Sequence, residues 1–102
     1  MRTLHHPRVE ELNLPEVLHA LSDPVRLEVV RLLGDMEERP CSAVESKVAK
    51  STLSHHFKVL REAGITHTRA NGTHRLMSLR RDDLEARFPG LIDSVLNATQ
   101  AS

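Results

Sequence analysis

Apolar residues in this chain recur first at helical spacing and, past the middle, at strand spacing. Leu14, Val17, Leu18 and Leu21 fall along one side of a helix behind Pro15, whose fixed φ suits a first turn. Asp23 followed by Pro24 reads as an N-cap and a first helical residue. Val25, Val29, Leu32 and Leu33 then form a stripe that stops at Gly34, which predicts a second helix over residues 24–33. The polar stretch 35–40 ends in proline and reads as a loop. Cys41 or Ser42 then caps a short third helix that ends near Val48 and buries Ala43 or Val44 with Val48. Leu53, Phe57, Leu60 and Gly64 lie at i, i+4, i+7 and i+11, which predicts a fourth helix over residues 50–63 with Gly64 as its stop.

The third and fourth predicted helices are separated by little more than Ala49, and so short a connection forces the sharp turn of a helix-turn-helix. After Gly64 the period changes. Residues 65–70 and 73–79 are rich in β-branched side chains and alternate, and Asn71-Gly72 between them is a strong hairpin signal, because a type I′ turn needs positive φ at both central residues. Asp82 or Asp83 can cap a last helical segment, interrupted at Pro89-Gly90, with Leu84, Phe88, Leu91, Ile92, Val95 and Leu96 as its apolar positions. The predicted fold class is mainly α with a two-stranded β-hairpin, a winged helix-turn-helix, in a single domain over residues 1–102.

Composition narrows the function. At 102 residues the chain makes one domain, and it buries only about two thirds of its unfolded surface, so a partner subunit would add to a core without surplus. No apolar run approaches the roughly 20 residues of a membrane helix, and residues 1–8 lack the apolar region of a secretory signal. The single cysteine, Cys41, excludes an intramolecular disulfide and suits a reducing cytoplasm, so a cytoplasmic protein without membrane contact is expected. Net charge is zero, yet unevenly spread. Residues 1–49 hold six basic and nine acidic side chains, and residues 82–102 hold one basic and four acidic. Between them Lys50, Lys58, Arg61, Arg69, Arg75, Arg80 and Arg81 face Glu62 alone, with His55, His56, His67 and His74 able to add to them. Such a block on an otherwise acidic protein is the footprint of phosphate-backbone binding; balanced by acidic neighbours in space, it would be ordinary solvated surface.

On the fourth helix Phe57 and Leu60 lie within about 40° of Leu53, whereas Ser51, His55 and Lys58 lie about 140–200° from it. The outward face therefore shows Ser51, Ser54, His55 and Lys58, flanked by Thr52 and Arg61. Short hydrogen-bonding groups toward the N-terminus with cations behind them suit a recognition helix entering the major groove end-on. His56 borders the core stripe and reads as a packed or phosphate-contacting histidine rather than a base reader. The hairpin adds Arg69, Asn71, Thr73, His74 and Arg75 around a tight tip, as a wing for phosphate or minor-groove contact requires. The candidate DNA-binding residues are thus Ser51, Thr52, Ser54, His55, His56, Lys58, Arg61, Arg69, Asn71, His74 and Arg75, and the partner is double-stranded DNA. Ser54 beside His55, or Cys41 with any histidine, carries the letters of a hydrolase. Neighbours on a helix point about 100° apart, however, and no Gly-rich loop, nucleophile elbow or metal triad accompanies them, so no enzyme is expected. A winged helix used for protein contact is the alternative.

The runs VLHALSDPVRLEVVRLL (17–33) and KSTLSHHFKVLREAGI (50–65), followed by the basic Asn-Gly hairpin, resemble the ArsR family of bacterial winged-helix transcriptional regulators over nearly the whole chain. The resemblance implies a homodimer joined through its first and last helices, an operator of roughly twofold symmetry, and repression until a signal releases the DNA. The acidic, apolar-faced termini, residues 1–21 and 82–98, suit dimer contacts away from DNA. Metal-responsive members of the family carry paired cysteines in the helix before the recognition helix, or His and acidic ligands in the last helix. Here the first stretch reads Cys41-Ser42-Ala43-Val44-Glu45, and no His or Cys follows Asp82. A soft metal wants two or three thiolates, so no metal, cofactor or small-molecule ligand is expected. Cys41 reads as a small buried hydrophobe near a helix start; the alternative is a thiol activated by the helix dipole, in a redox- or metal-responsive regulator. His5-His6 reads as part of a polar, mobile N-terminus, with weak metal binding as the alternative.

Overall fold

In the computed structural model, which describes residues 4–35, 37–44 and 47–101, the chain runs through α1 (Leu14–Leu21), α2 (Pro24–Leu32), β1 (Arg39–Pro40), α3 (Lys50–Glu62), β2 (Thr66–Asn71), β3 (His74–Leu79), α4 (Arg81–Arg87) and α5 (Leu91–Ala101). This is a winged helix-turn-helix, with the sheet ordered β1-β3-β2 and antiparallel throughout. The helix starts follow from their caps. Asn13 accepts the Glu16 N–H at 3.0 Å ahead of α1, and Asp23 accepts the N–H groups of Val25 and Arg26 at 2.8 and 3.2 Å ahead of α2. Gly64 closes α3 at φ +87°, with the Ile65 N–H donating to the Leu60 carbonyl at 3.0 Å, the six-to-one bond of a Schellman motif.

The core is aliphatic. Val17, Ala20 and Leu21 of α1, Val29 and Val30 of α2, Leu53 and Leu60 of α3, Met77 and Leu79 of β3, and Leu84, Ile92 and Leu96 of α4 and α5 are buried together. α1 and α2 both lie against α3, and α5 lies against α2 and α4.

Several expectations are corrected. The predicted third helix is a 3-10 turn, Cys41–Ala43, which ends with Val44 extended; residues 45 and 46 lie outside the described residues. No side chain caps that turn, and a stretch this short cannot offset helix nucleation without one. The loop predicted over residues 35–40 ends in β1, which pairs Arg39 with Met77 and Pro40 with Leu76 and makes the sheet three-stranded. The sheet edge tolerates a proline there. Asn71 is the last ladder residue, opposite His74, so the turn is Gly72-Thr73 with Gly72 at φ +63°. Either primed turn type needs positive φ at its first central position, and glycine supplies it. Asp82 and Asp83 sit inside the first turn of α4 rather than capping it; the N-cap residue is Arg80. Leu14 and Leu18 lie outside the core, 43% and 48% exposed, because α1 turns Val17, Ala20 and Leu21 inward instead.

Where a mobile N-terminus is expected, the described stretch from His6 to Leu12 is docked on the body. His6 Nε2 accepts the Thr68 N–H at 3.0 Å on the outer edge of β2, and its ring stacks on His67 with centroids 4.4 Å apart. Burial, and then the His67 charge, hold His6 below the ordinary histidine range, which keeps it an acceptor. Arg80 donates to the Pro7 carbonyl at 2.8 Å and Arg87 to the Leu12 carbonyl at 2.6 Å, so two arginines fasten the same strap. The strap leads Leu12 into the core, 2% exposed, directly over Gly64.

A β-carbon at Gly64 would stand 1.9 Å from Leu12 Cδ2 on a backbone at φ +87°. Gly64→Ala is therefore predicted to cost about 2 kcal/mol or more, the combined effect of left-handed strain and a displaced core leucine. Urea unfolding checks this; a change within about 0.5 kcal/mol would contradict it.

Candidate nucleic-acid interface

α3 starts at Lys50 behind Ala49, and no side chain caps its first turn, so the positive end of the helix dipole is presented without an internal acceptor. Leu53, His56 and Leu60 are its buried residues, and Phe57 is half-buried against them. Ser51, Thr52, Ser54, His55 and Lys58 are all exposed. This is the division that the wheel predicts: an apolar stripe inward and short polar groups outward. Of the two readings of His56, the structure shows the packed one, 8% exposed, with Nδ1 held 3.0 Å from Arg26 Nη1. It is not on the presented surface. Arg61 is half-buried, and its Nε has no hydrogen-bond partner among the described residues.

The wing brings Arg69, Asn71, His74 and Arg75 out into solvent, with Asn71 opposite His74 and Ala70 opposite Arg75 across the ladder. Arg69 is already engaged: its Nε and Nη2 donate to the two carboxylate oxygens of Glu38 at 2.6 and 2.7 Å. The guanidinium holds the Glu38 carboxyl below the usual carboxylate range. Nothing in the sequence flags this pair, because Glu38 and Arg69 are 31 residues apart and meet only through the β1 connection. Two further members of the basic block are diverted inward or sideways. Arg80 is held by the Pro7 carbonyl and Asp83, and Arg81 is paired with Asp93 of α5. Lys50, Lys58 and Arg75 are exposed and form no ion pair among the described residues.

Cys41 links the helix face to the wing. Its thiol lines a groove with Lys50, Leu53, Ser54 and Phe57, and it feels the charges of both Arg75 and Arg61. Among the described residues no three His, Cys, Asp or Glu side chains gather in a metal-binding group, and no helix is long and apolar enough to cross a membrane.

The family described as "Helix-turn-helix domain" matches residues 21–69, from the end of α1 through the first half of the wing. The chain is similar to the uncharacterized HTH-type transcriptional regulator YceK of Bacillus subtilis, 39% identical over 83 residues, with 78% of this chain and 83% of that protein covered. It is also similar to the arsenical resistance operon repressor of Staphylococcus xylosus, 37% identical over 71% of this chain and 70% of that one. Among solved structures, the transcriptional repressor BigR from Xylella fastidiosa superposes with a TM-score of 0.65 at 31% identity, covering 82% of this chain and 83% of its own.

Burial is the main influence on the Cys41 thiol and pushes it above the ordinary cysteine range, outweighing the nearby arginines. Thiolate is the reactive form, so native Cys41 is predicted to react with a thiol reagent at neutral pH at least about tenfold more slowly than in the urea-unfolded chain. Equal rates in the two states would contradict this.

Proposed function

The chain belongs to the ArsR family of helix-turn-helix transcriptional regulators, and from that premise we propose that it is a cytoplasmic homodimeric repressor that binds an inverted-repeat operator through α3 and the wing. It is a regulator, not an enzyme. The observation that carries the reading is the exposed polar face of α3, Ser51, Thr52, Ser54, His55 and Lys58, followed in the chain by a wing that exposes Asn71, His74 and Arg75. In this reading Ser51, Thr52, Ser54 and His55 meet base edges, and Lys58 clamps the adjoining phosphate. Arg61, Asn71, His74 and Arg75 hold the backbone or minor groove, and Arg69 joins them when a phosphate replaces Glu38. Dimerisation through the terminal helices is supported by Leu14 and Leu18, the exposed large hydrophobic residues among those described, and by a shallow groove that Leu14 shares with Phe88 and Leu91. Two α3 helices would then engage half-sites about 34 Å apart.

The alternative, a winged helix used for protein contact, differs in its salt response. A DNA complex loses affinity at a log-log slope of about −0.9 per neutralised phosphate, and a protein interface responds weakly. Anisotropy titrations of an operator fragment selected from the host genome, and of its scrambled counterpart, test the division of roles. His55→Ala is predicted to lose about 1 to 3 kcal/mol on the operator only. Arg75→Ala weakens both duplexes alike, with a shallower salt slope. Equal losses on both duplexes for both variants would contradict the assignment.

A further inference from the structure

We propose that Arg26 and His56 form a positioning joint that sets the rotation of α3 for operator recognition, and that the joint holds only while His56 is neutral. The inference rests on the DNA-binding reading above and deepens it. Arg26 is a charged side chain only 7% exposed, in the first turn of α2. Its Nε donates to the Ala20 carbonyl at 2.6 Å and its Nη2 to the His19 carbonyl at 3.3 Å, at the C-terminal end of α1. Its Nη1 lies 3.0 Å from His56 Nδ1, on α3. One guanidinium thus ties the end of α1 and the start of α2 to the helix that bears the base-reading face.

The chemistry of the contact fixes a protonation state. A guanidinium has five N–H donors and no acceptor, so His56 Nδ1 must offer a lone pair, and the neutral ring must carry its proton on Nε2. The other charged or titratable groups facing the ring are Asp23, whose Oδ1 is 3.9 Å from Nδ1, and His55, whose ring centroid is 6.0 Å away. A proton on Nδ1 turns that atom from an acceptor for Arg26 into a donor for Asp23. It also sets a cation against the guanidinium.

Directionality makes the joint matter. Elsewhere α3 meets the body through aliphatic side chains such as Leu53 and Leu60, whose burial fixes which face turns inward but, being non-directional, tolerates a rotation of about 20° that a hydrogen bond does not. A turn of about 20° about the α3 axis would move a side-chain tip roughly 5 Å from the axis by nearly 2 Å, more than the tolerance of a hydrogen bond to a base. His55, adjacent to the joint, is one of the tips that would move.

The test compares wild type, His56→Asn, whose Oδ1 keeps an acceptor near Nδ1 and takes no proton, and His56→Leu, which has no acceptor. Operator and scrambled duplexes are titrated from about pH 8 to about pH 5.5, across the histidine range. Near pH 8, His56→Asn is expected to bind the operator within about threefold of wild type, and His56→Leu at least about tenfold more weakly, with little change on the scrambled duplex. On acidification the wild-type preference for the operator falls relative to that of His56→Asn; their ratio removes the common contribution of His55, His67 and His74. Parallel pH curves for wild type and His56→Asn would overturn the proposal, and these two proteins decide it even where His56→Leu fails to fold. The ¹⁵N resonances of the His56 ring in the free protein test the contact without DNA: a bare Nδ1 near pH 8 is required, and a protonated one overturns the joint. Were wild type to bind no duplex in a salt-dependent way, the DNA reading would fall, and the ring resonances would still decide whether the contact holds.

Discussion

Everything presented by this protein depends on the sealing of Leu53 and Leu60 beneath α1 and α2. The core has no tryptophan or tyrosine to draw on, and each fully buried leucine contributes about 1.5 to 3 kcal/mol, so α3 cannot give up its apolar stripe. Turning the other face inward would bury Ser51, Ser54, His55 and Lys58 without partners, a cost of several kcal/mol. The helix is therefore pinned with its short polar side chains outward. The Schellman closure at Gly64 then redirects the chain into β2, so the wing emerges from the end of the same helix. The exposed polar face of α3 and the wing are two consequences of one packing arrangement.

Charge is distributed more selectively than the sequence count implies. Of seven cations in residues 50–81, Arg80 fastens the N-terminal strap, Arg81 pairs with Asp93 and Arg69 is held by Glu38. Arg61 is half-buried, and what faces solvent with no ion pair among the described residues is a smaller set, Lys50, Lys58 and Arg75, at the N-terminal and outer flank of α3 and at the wing. A surface pair such as Arg69 with Glu38 is worth little in stability, about 1 kcal/mol or less.

Helices α1, α2, α3 and the broken terminal helix are legible in the sequence because each carries its own period and its own punctuation: Pro15, Asp23-Pro24, Gly64 and Pro89-Gly90. The hairpin is legible to within one residue of its turn. The outward face of α3 is exposed as its periodicity requires, and His56 lies at the border of the core, where its position on the wheel puts it. Features made by distant partners leave no such local mark. β1 is two residues long and exists only because β3 lies beside it. The strap depends on His6 meeting Thr68, and the Arg26 knot on His56 lying 30 residues away. The short turn at Cys41 departs from expectation for the opposite reason: its local signals are too few to sustain a helix.

In the proposed complex the exposed flank of α3 and the tip of the wing together lie against duplex DNA. Backbone amide resonances followed during titration of ¹⁵N-labelled protein with its operator duplex test this most directly. The largest changes are expected on residues 50–58 and 69–75. Changes centred instead on Leu14, Leu18, Phe88 and Leu91, with the α3 flank unmoved, would contradict it.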